Sequence, residues 1–159
     1  MTSEPLSKAF RFFLAHWKAS RTLYGHLNPV LEERFGLELR DYLVLGSIFR
    51  GLHYPSEVAD VLGMPRDMVS RILNKLLSKS LLERSIDEQD SRKTLLLITS
   101  EGIETRHKIR ACIQDMIEPA LEQLGQDGSE ALIHSLEAFT QQLVSNQSTL
   151  SGEKHANLV

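Results

Sequence analysis

Apolar residues recur along this chain at helical spacing, give way once to a strand-like stretch, and then resume. From about Pro5 to Phe35, the residues Leu6, Phe10, Phe13, Trp17, Tyr24, Leu27, Leu31 and Phe35 step mostly by three or four, predicting one long helix closed by Gly36. Leu39 to Arg50 repeats the period with Tyr42, Leu43, Leu45, Ile48 and Phe49. Pro55 to Leu62 is a short amphipathic helix with Val58, Ala59 and Leu62 inward, ended by Gly63. Met64 and Pro65 then open another helix, Pro65 to Lys79, since proline is favoured in a first helical turn. Leu82 to Ile86 and Thr94 to Ile98 read as two strands around a polar loop, Asp87 to Lys93. Thr99 or Ser100 caps a helix running to about Leu124 through Ile103, Ile109, Ile113, Met116, Ile117 and Leu121, with Pro119 expected to kink it near Asp115. Gly125 to Gly128 predicts a break. Ser129 starts a last helix with Leu132, Leu136, Phe139, Leu143 and Val144, and a polar, frayed tail follows Gln147.

The centre of this pattern is the helix Pro65 to Lys79. On a helical wheel Val69, Ile72, Leu73, Leu76 and Leu77 fall on one side, and Arg66, Asp67, Ser70, Arg71, Asn74, Lys75 and Ser78 on the other. An ordinary surface helix pairs charges of mixed sign, whereas this segment sets four cations against the lone Asp67. Arg66, Arg71, Asn74 and Lys75 are donor-rich side chains of the kind that reach phosphates and base edges in a major groove. Two short helices joined by a tight glycine turn make a helix-turn-helix, and the hairpin that follows makes it winged. The expected fold is mainly α with a small β-hairpin wing.

Four stretches carry a family resemblance: Glu57 to Gly63 (EVADVLG), Val69 to Arg71 (VSR), Leu81 to Arg84 (LLER) and Asp90 to Gly102 (DSRKTLLLITSEG). The last holds an Asp-x-Arg, an apolar strand, a Thr and a Gly three residues later. No one tripeptide is specific, but the ordered set resembles the MarR family of bacterial transcription regulators. That resemblance implies a winged helix at residues 37–99, a helical dimerisation body from residues 1–36 and 100–147, and a flexible tail at 148–159. It places Ser70 and Arg71 at base and phosphate contact positions, with Arg66, Asn74 and Lys75 on the same face. It also implies that Arg92 enters the minor groove, that Asp90 holds its guanidinium, and that Lys93 adds a phosphate contact. Asp67 is unusual on that face; orienting Arg71 and accepting from a cytosine amino group are both open to it. The family has Gly where this chain has Ser80, and often a capping Thr or Ser where Glu38 and Tyr54 stand.

Charge changes the picture only a little. The formal net charge is −3, and Pro55 to Thr99 holds seven basic and seven acidic residues, so any DNA affinity has to come from local placement. Cys112 is the one cysteine, which excludes an internal disulfide and fits a reducing compartment. The amino terminus has no basic-then-apolar segment and no apolar run approaches ~20 residues, so a cytoplasmic protein without a membrane span is expected.

Each candidate site has a bland counterpart. For Asp90 and Arg92 it is a surface ion pair of little worth. Cys112, flanked at helical spacing by Ile109, Ile113 and Met116, reads as a core residue and not an oxidant sensor. His16, His26, His53, His107, His134 and His155 lack metal-site spacing and read as scattered solvent or interface residues, although distant ligands could still converge. His16, Trp17, Arg21 and Tyr24, on adjacent turns of the first helix, could line a pocket for a small aromatic or lipophilic effector; dimer packing is the favoured alternative. No nucleophile elbow, phosphate loop or dinucleotide fingerprint occurs, so no enzyme and no cofactor are expected. The expectation is therefore a homodimeric regulator binding a pseudo-palindromic site in double-stranded DNA, acting as a ligand-responsive repressor. A winged helix used only for protein contacts, or a redox- or metal-responsive regulator of the same fold, is the alternative.

Overall fold

The computed structural model describes residues 5–86 and 94–156. Its elements are α1 (Lys8–Phe35), α2 (Leu39–Phe49), α3 (Pro55–Leu62), α4 (Arg66–Ser78), β1 (Leu82–Ile86), β2 (Thr94–Ile98), α5 (Ser100–Glu122) and α6 (Gly125–Ala156). The chain divides into two compact units, Met1–Gln114 and Asp115–Val159.

In the first unit the helices start and stop for local reasons. The Ser7 hydroxyl accepts the Phe10 N–H at 3.2 Å, so α1 begins at Lys8 and not at Pro5. Its other end closes on Gly36, at φ 62°, whose N–H donates to the Glu32 carbonyl at 2.8 Å. Pro29 lies inside α1 and leaves the Gly25 carbonyl without its helical donor. Glu38, a poor capping residue, is supported from two sides. Asp41 accepts the Glu38 N–H at 2.8 Å, and the Asn28 side chain accepts the Leu39 N–H at 2.9 Å, tying α1 to α2. Glu57 likewise accepts the Tyr54 N–H at 3.3 Å at the start of α3.

Two turns frame α4. After α3, Gly63 at φ 59° lets Met64 N–H reach the Ala59 carbonyl at 3.0 Å. After α4, Ser80 takes the same left-handed state at φ 58°, with Ser80 N–H donating to Leu77 and Leu81 N–H to Leu76, both at 3.0 Å. These bonds satisfy the last carbonyls of α4 with a serine where glycine carries no steric penalty. Pro65 stands just before α4 and not in its first turn.

The core forms beneath α4. Val69, Ile72, Leu73 and Leu76 are buried, as are Val44, Leu45 and Ile48 of α2, Val58 and Ala59 of α3, and Leu27 and Leu31 of α1. Each Val, Leu or Ile side chain among them contributes about 1.5–3 kcal/mol by leaving water. β1 and β2 pair antiparallel, with Leu82 opposite Ile98 and Arg84 opposite Leu96. His53 backs the middle of β2: Leu96 N–H donates to the His53 carbonyl at 3.1 Å, and His53 Nδ1 lies 3.0 Å from the Leu96 carbonyl. His53 is thus half-buried structure, not one more solvent histidine.

Thr99 is the cap of α5. Its hydroxyl accepts the Gly102 N–H at 3.0 Å and donates to the Ser80 carbonyl at 2.8 Å, joining the exit of α4 to the end of the wing. Gly102 is required for that joint, because a Cβ there would run into the Leu81 carbonyl. Arg106 lies over the Phe49 ring at 4.2 Å from its centroid, a cation–π contact tying α5 to the end of α2.

In the second unit the expected break is misplaced. Gly125 (φ 71°) opens α6, so Gly125 to Gly128 form its first turn, and only Gln123 and Leu124 separate it from α5. The Ser129 hydroxyl does not cap; it donates back to the Gln126 carbonyl at 2.9 Å. Asp127 in the first turn suits the positive helix end. The helix also continues past Gln147 to Ala156, since no proline interrupts its backbone ladder there.

Candidate nucleic-acid interface

Burial fixes how α4 is rolled. With Val69, Ile72, Leu73 and Leu76 inward, Arg66, Asp67, Ser70, Arg71, Asn74 and Ser78 are exposed. Arg71 and Asp67 form an ion pair at 3.1 Å, with 74% and 76% of their side chains exposed. Of the two roles open to Asp67, orienting Arg71 is the one this contact supports. An exposed pair of this kind adds little stability, at most ~1 kcal/mol, so its consequence lies in where it points the guanidinium.

Lys75 departs from the expected face. Its Nζ donates to Asp41 at 2.7 Å and lies 3.7 Å from Glu32, and only 34% of its side chain is exposed. Burial works against its charge, but the hydrogen bond and charge of Asp41, with Glu32 and Glu38, outweigh that and raise its pKa above the ordinary 10.5. The wheel misplaces it because a position at the edge of the apolar stripe turns inward or outward according to what the neighbouring helix offers. Here α2 offers a buried carboxylate.

On the opposite flank of α4 the hairpin forms a cleft of about 190 Å³ lined by Pro55, Ser70, Leu73, Asn74, Leu77, Arg84 and Leu96. Arg84 is an exposed cation on this side that the wheel of one helix could not reveal; strand pairing places it there. Asp90, Arg92 and Lys93 lie outside the described residues.

The remaining candidates fall elsewhere. His16, Trp17, Arg21 and Tyr24 are exposed on α1, and His16 stacks on Phe12 at 6.2 Å between ring centroids. Cys112 is buried and receives an Arg34 Nη1 donor at 3.7 Å, in keeping with a core residue. Among the described residues no group of three or more His, Cys, Asp or Glu could hold a metal ion, and no helix is long and apolar enough to cross a membrane.

Comparison with known proteins agrees with this geometry. A sequence model of the MarR family matches residues 35–93, which run from the end of α1 through the helix-turn-helix and past β1. No curated protein matches the chain. A MarR/EmrR family transcriptional regulator from Acinetobacter sp. ADP1 is similar at a TM-score of 0.73 and 16% identity, covering 88% of this chain and 99% of that one. MepR of S. aureus, in a structure of its complex with DNA, is similar at a TM-score of 0.70 and 21% identity, with 86% and 99% covered. PcaV of Streptomyces coelicolor, in complex with its natural ligand, reaches a TM-score of 0.66 at 19% identity, with 89% and 98% covered. The family's members are transcriptional regulators and not enzymes. Residues 35–93 match the MarR-family model, on a chain that has the winged-helix fold of the MarR-family structures.

Proposed function

We propose that the chain is a homodimer that binds a pseudo-palindromic site in double-stranded DNA and represses transcription until a small aromatic or lipophilic ligand releases it. The observation that supports this most is the exposed polar face of α4, with Arg66, Ser70, Arg71 and Asn74 standing on a fully buried stripe. Such a helix can enter a major groove without giving up its core. By resemblance, Arg92 would read a narrow minor groove, with Asp90 orienting it and Lys93 on a phosphate.

A dimer is supported by apolar residues that stay exposed in the single chain. Phe13 is 57% and Trp17 60% exposed on α1, and Leu143 49% and Val144 61% on α6. A second copy would bury them. Packing of this kind is also the better use for His16, Trp17, Arg21 and Tyr24. A ligand in the cleft beside Ser70, Asn74 and Arg84 would sit within the DNA-facing surface and compete with DNA directly.

Selection of bound duplexes from a random pool, followed by titration at several salt concentrations, tests the reading. The expected result is a two-half-site consensus, about one helical turn (~10 bp) apart, with a steep fall of affinity with salt. Failure to enrich any duplex would favour a winged helix used for protein contacts, which the even balance of charge in Pro55 to Thr99 also suits.

A further inference from the structure

Resting on the DNA-binding reading, we infer that Lys75 is a positioning residue, which with Asp41 fine-tunes the roll that the buried stripe gives α4 against α2 and α1 and does not itself contact DNA. At about 100° per residue, Lys75 lies roughly 140° round α4 from Ser70 and about 180° from Arg66. Its bond to Asp41 puts it on the flank turned toward α2, away from the hairpin cleft, with Arg71 about 40° round the helix. Its Nζ meets Asp41 Oδ2 at 2.7 Å, the same oxygen that accepts the Glu38 N–H at 2.8 Å. The Asp41 side chain is only 6% exposed, so the lysine neutralises a carboxylate that water scarcely reaches. Glu32 of α1 stands 3.7 Å from the same ammonium. One charge on α4 is thus shared by the start of α2 and the last turns of α1.

This arrangement leaves Lys75 little to give a phosphate. Swinging it outward would strand a buried, ionised Asp41, whereas Arg71 swings freely because its acidic partner is exposed. What Lys75 can control is the fine angle at which Ser70, Arg71 and Asn74 are presented, since the pair holds one flank of α4 to α2 within the roll that the buried stripe sets. Specificity follows that angle, because base-edge bonds need their donors aligned.

The test uses the full-length protein and the duplex it selects, with Lys75→Met, Asp41→Asn and the double variant. Asn keeps an acceptor for Glu38 N–H, and the double variant leaves no buried charge unpaired, so it folds even where a single variant does not. The expected result for the double variant is at least tenfold weaker binding to the selected duplex, an unchanged slope of log affinity against log salt, and a broadened base preference. A slope reduced by about one unit per protomer would show that Lys75 neutralises a phosphate and would overturn the inference. A DNA-free arm separates this from the parent reading: the melting temperatures of the two single variants should each fall, and that of the double should fall no further than the worse single. Additive losses would mean that the pair is not coupled and would overturn the inference even if DNA binding holds. Absence of DNA binding by the unaltered protein, with coupling intact, would sink the DNA role of the pair together with the parent reading.

Discussion

Two residues where the exit of α4 meets the first turn of α5, Ser80 and Gly102, are constrained by the backbone around them. Ser80, at φ 58°, bears a left-handed strain of about 1 kcal/mol that glycine lacks. Ser80→Gly should therefore raise the melting temperature by a few degrees, as seen in calorimetry; an unchanged or lower value would mean that the left-handed serine carries no such strain. Gly102→Ala should do the opposite. Its methyl would enter the Leu81 carbonyl, which also accepts the Thr99 N–H at 3.2 Å, so a loss of ~1–3 kcal/mol is expected on denaturant unfolding. Lys75 adds a pH dependence. Because Asp41 raises its pKa in the folded state, its contribution is fully present below the unfolded value of 10.5 and is lost as pH rises through the higher folded value. Lys75→Met should flatten the fall of stability above pH 10.5, measured by denaturant midpoints across the alkaline range.

At the scale of elements, α4 works because its faces are divided three ways. One buries aliphatic side chains, one flank is held by Asp41, and the rest is left to solvent. Within the exposed part, Asp67 pairs with Arg71 and, on the proposed DNA-binding reading, would bring a negative charge toward the phosphates. Asp67→Ala should accordingly tighten binding to a random duplex while weakening discrimination at one half-site position, read by titrating selected and scrambled duplexes side by side. Arg71→Ala should cost ~1–3 kcal/mol on the selected site alone. The strand register carries a second lesson. β1 puts Arg84 opposite Leu96 and beside Ser70 and Asn74, so the cation belongs to the α4 surface although fourteen residues separate it from Ser70 in sequence.

For the whole molecule, exposed aromatic surface decides what state is stable. Phe10, Phe13 and Trp17 on α1, and Leu136, Phe139 and Leu143 on α6, are each at least 40% exposed in the single chain. A dimer related by a two-fold axis is expected, and sedimentation at micromolar concentration should show no monodisperse monomer. Periodicity alone laid out most of the architecture. The helix-turn-helix and both strands needed only amphipathic spacing, glycine stops and one polar loop, all of which act within a few residues. Ser80 was marked only by the resemblance, which has Gly in its place, since a left-handed residue closes many helices. The start of α6 was not legible, since Gly125 and Gly128 both resemble breakers and only one of them takes a left-handed φ. Nor were Lys75, His53 and Arg84. The identity of each allows either an outward or a tethered state, and the choice falls to groups far away in sequence: Asp41 for Lys75, the Leu96 backbone for His53, the pairing of two strands for Arg84. Local spacing determined which elements form, because hydrogen bonding and hydrophobic period are short-range; tertiary packing decided which polar side chains those elements leave free, because only a buried neighbour makes it costly for a charge to turn to water.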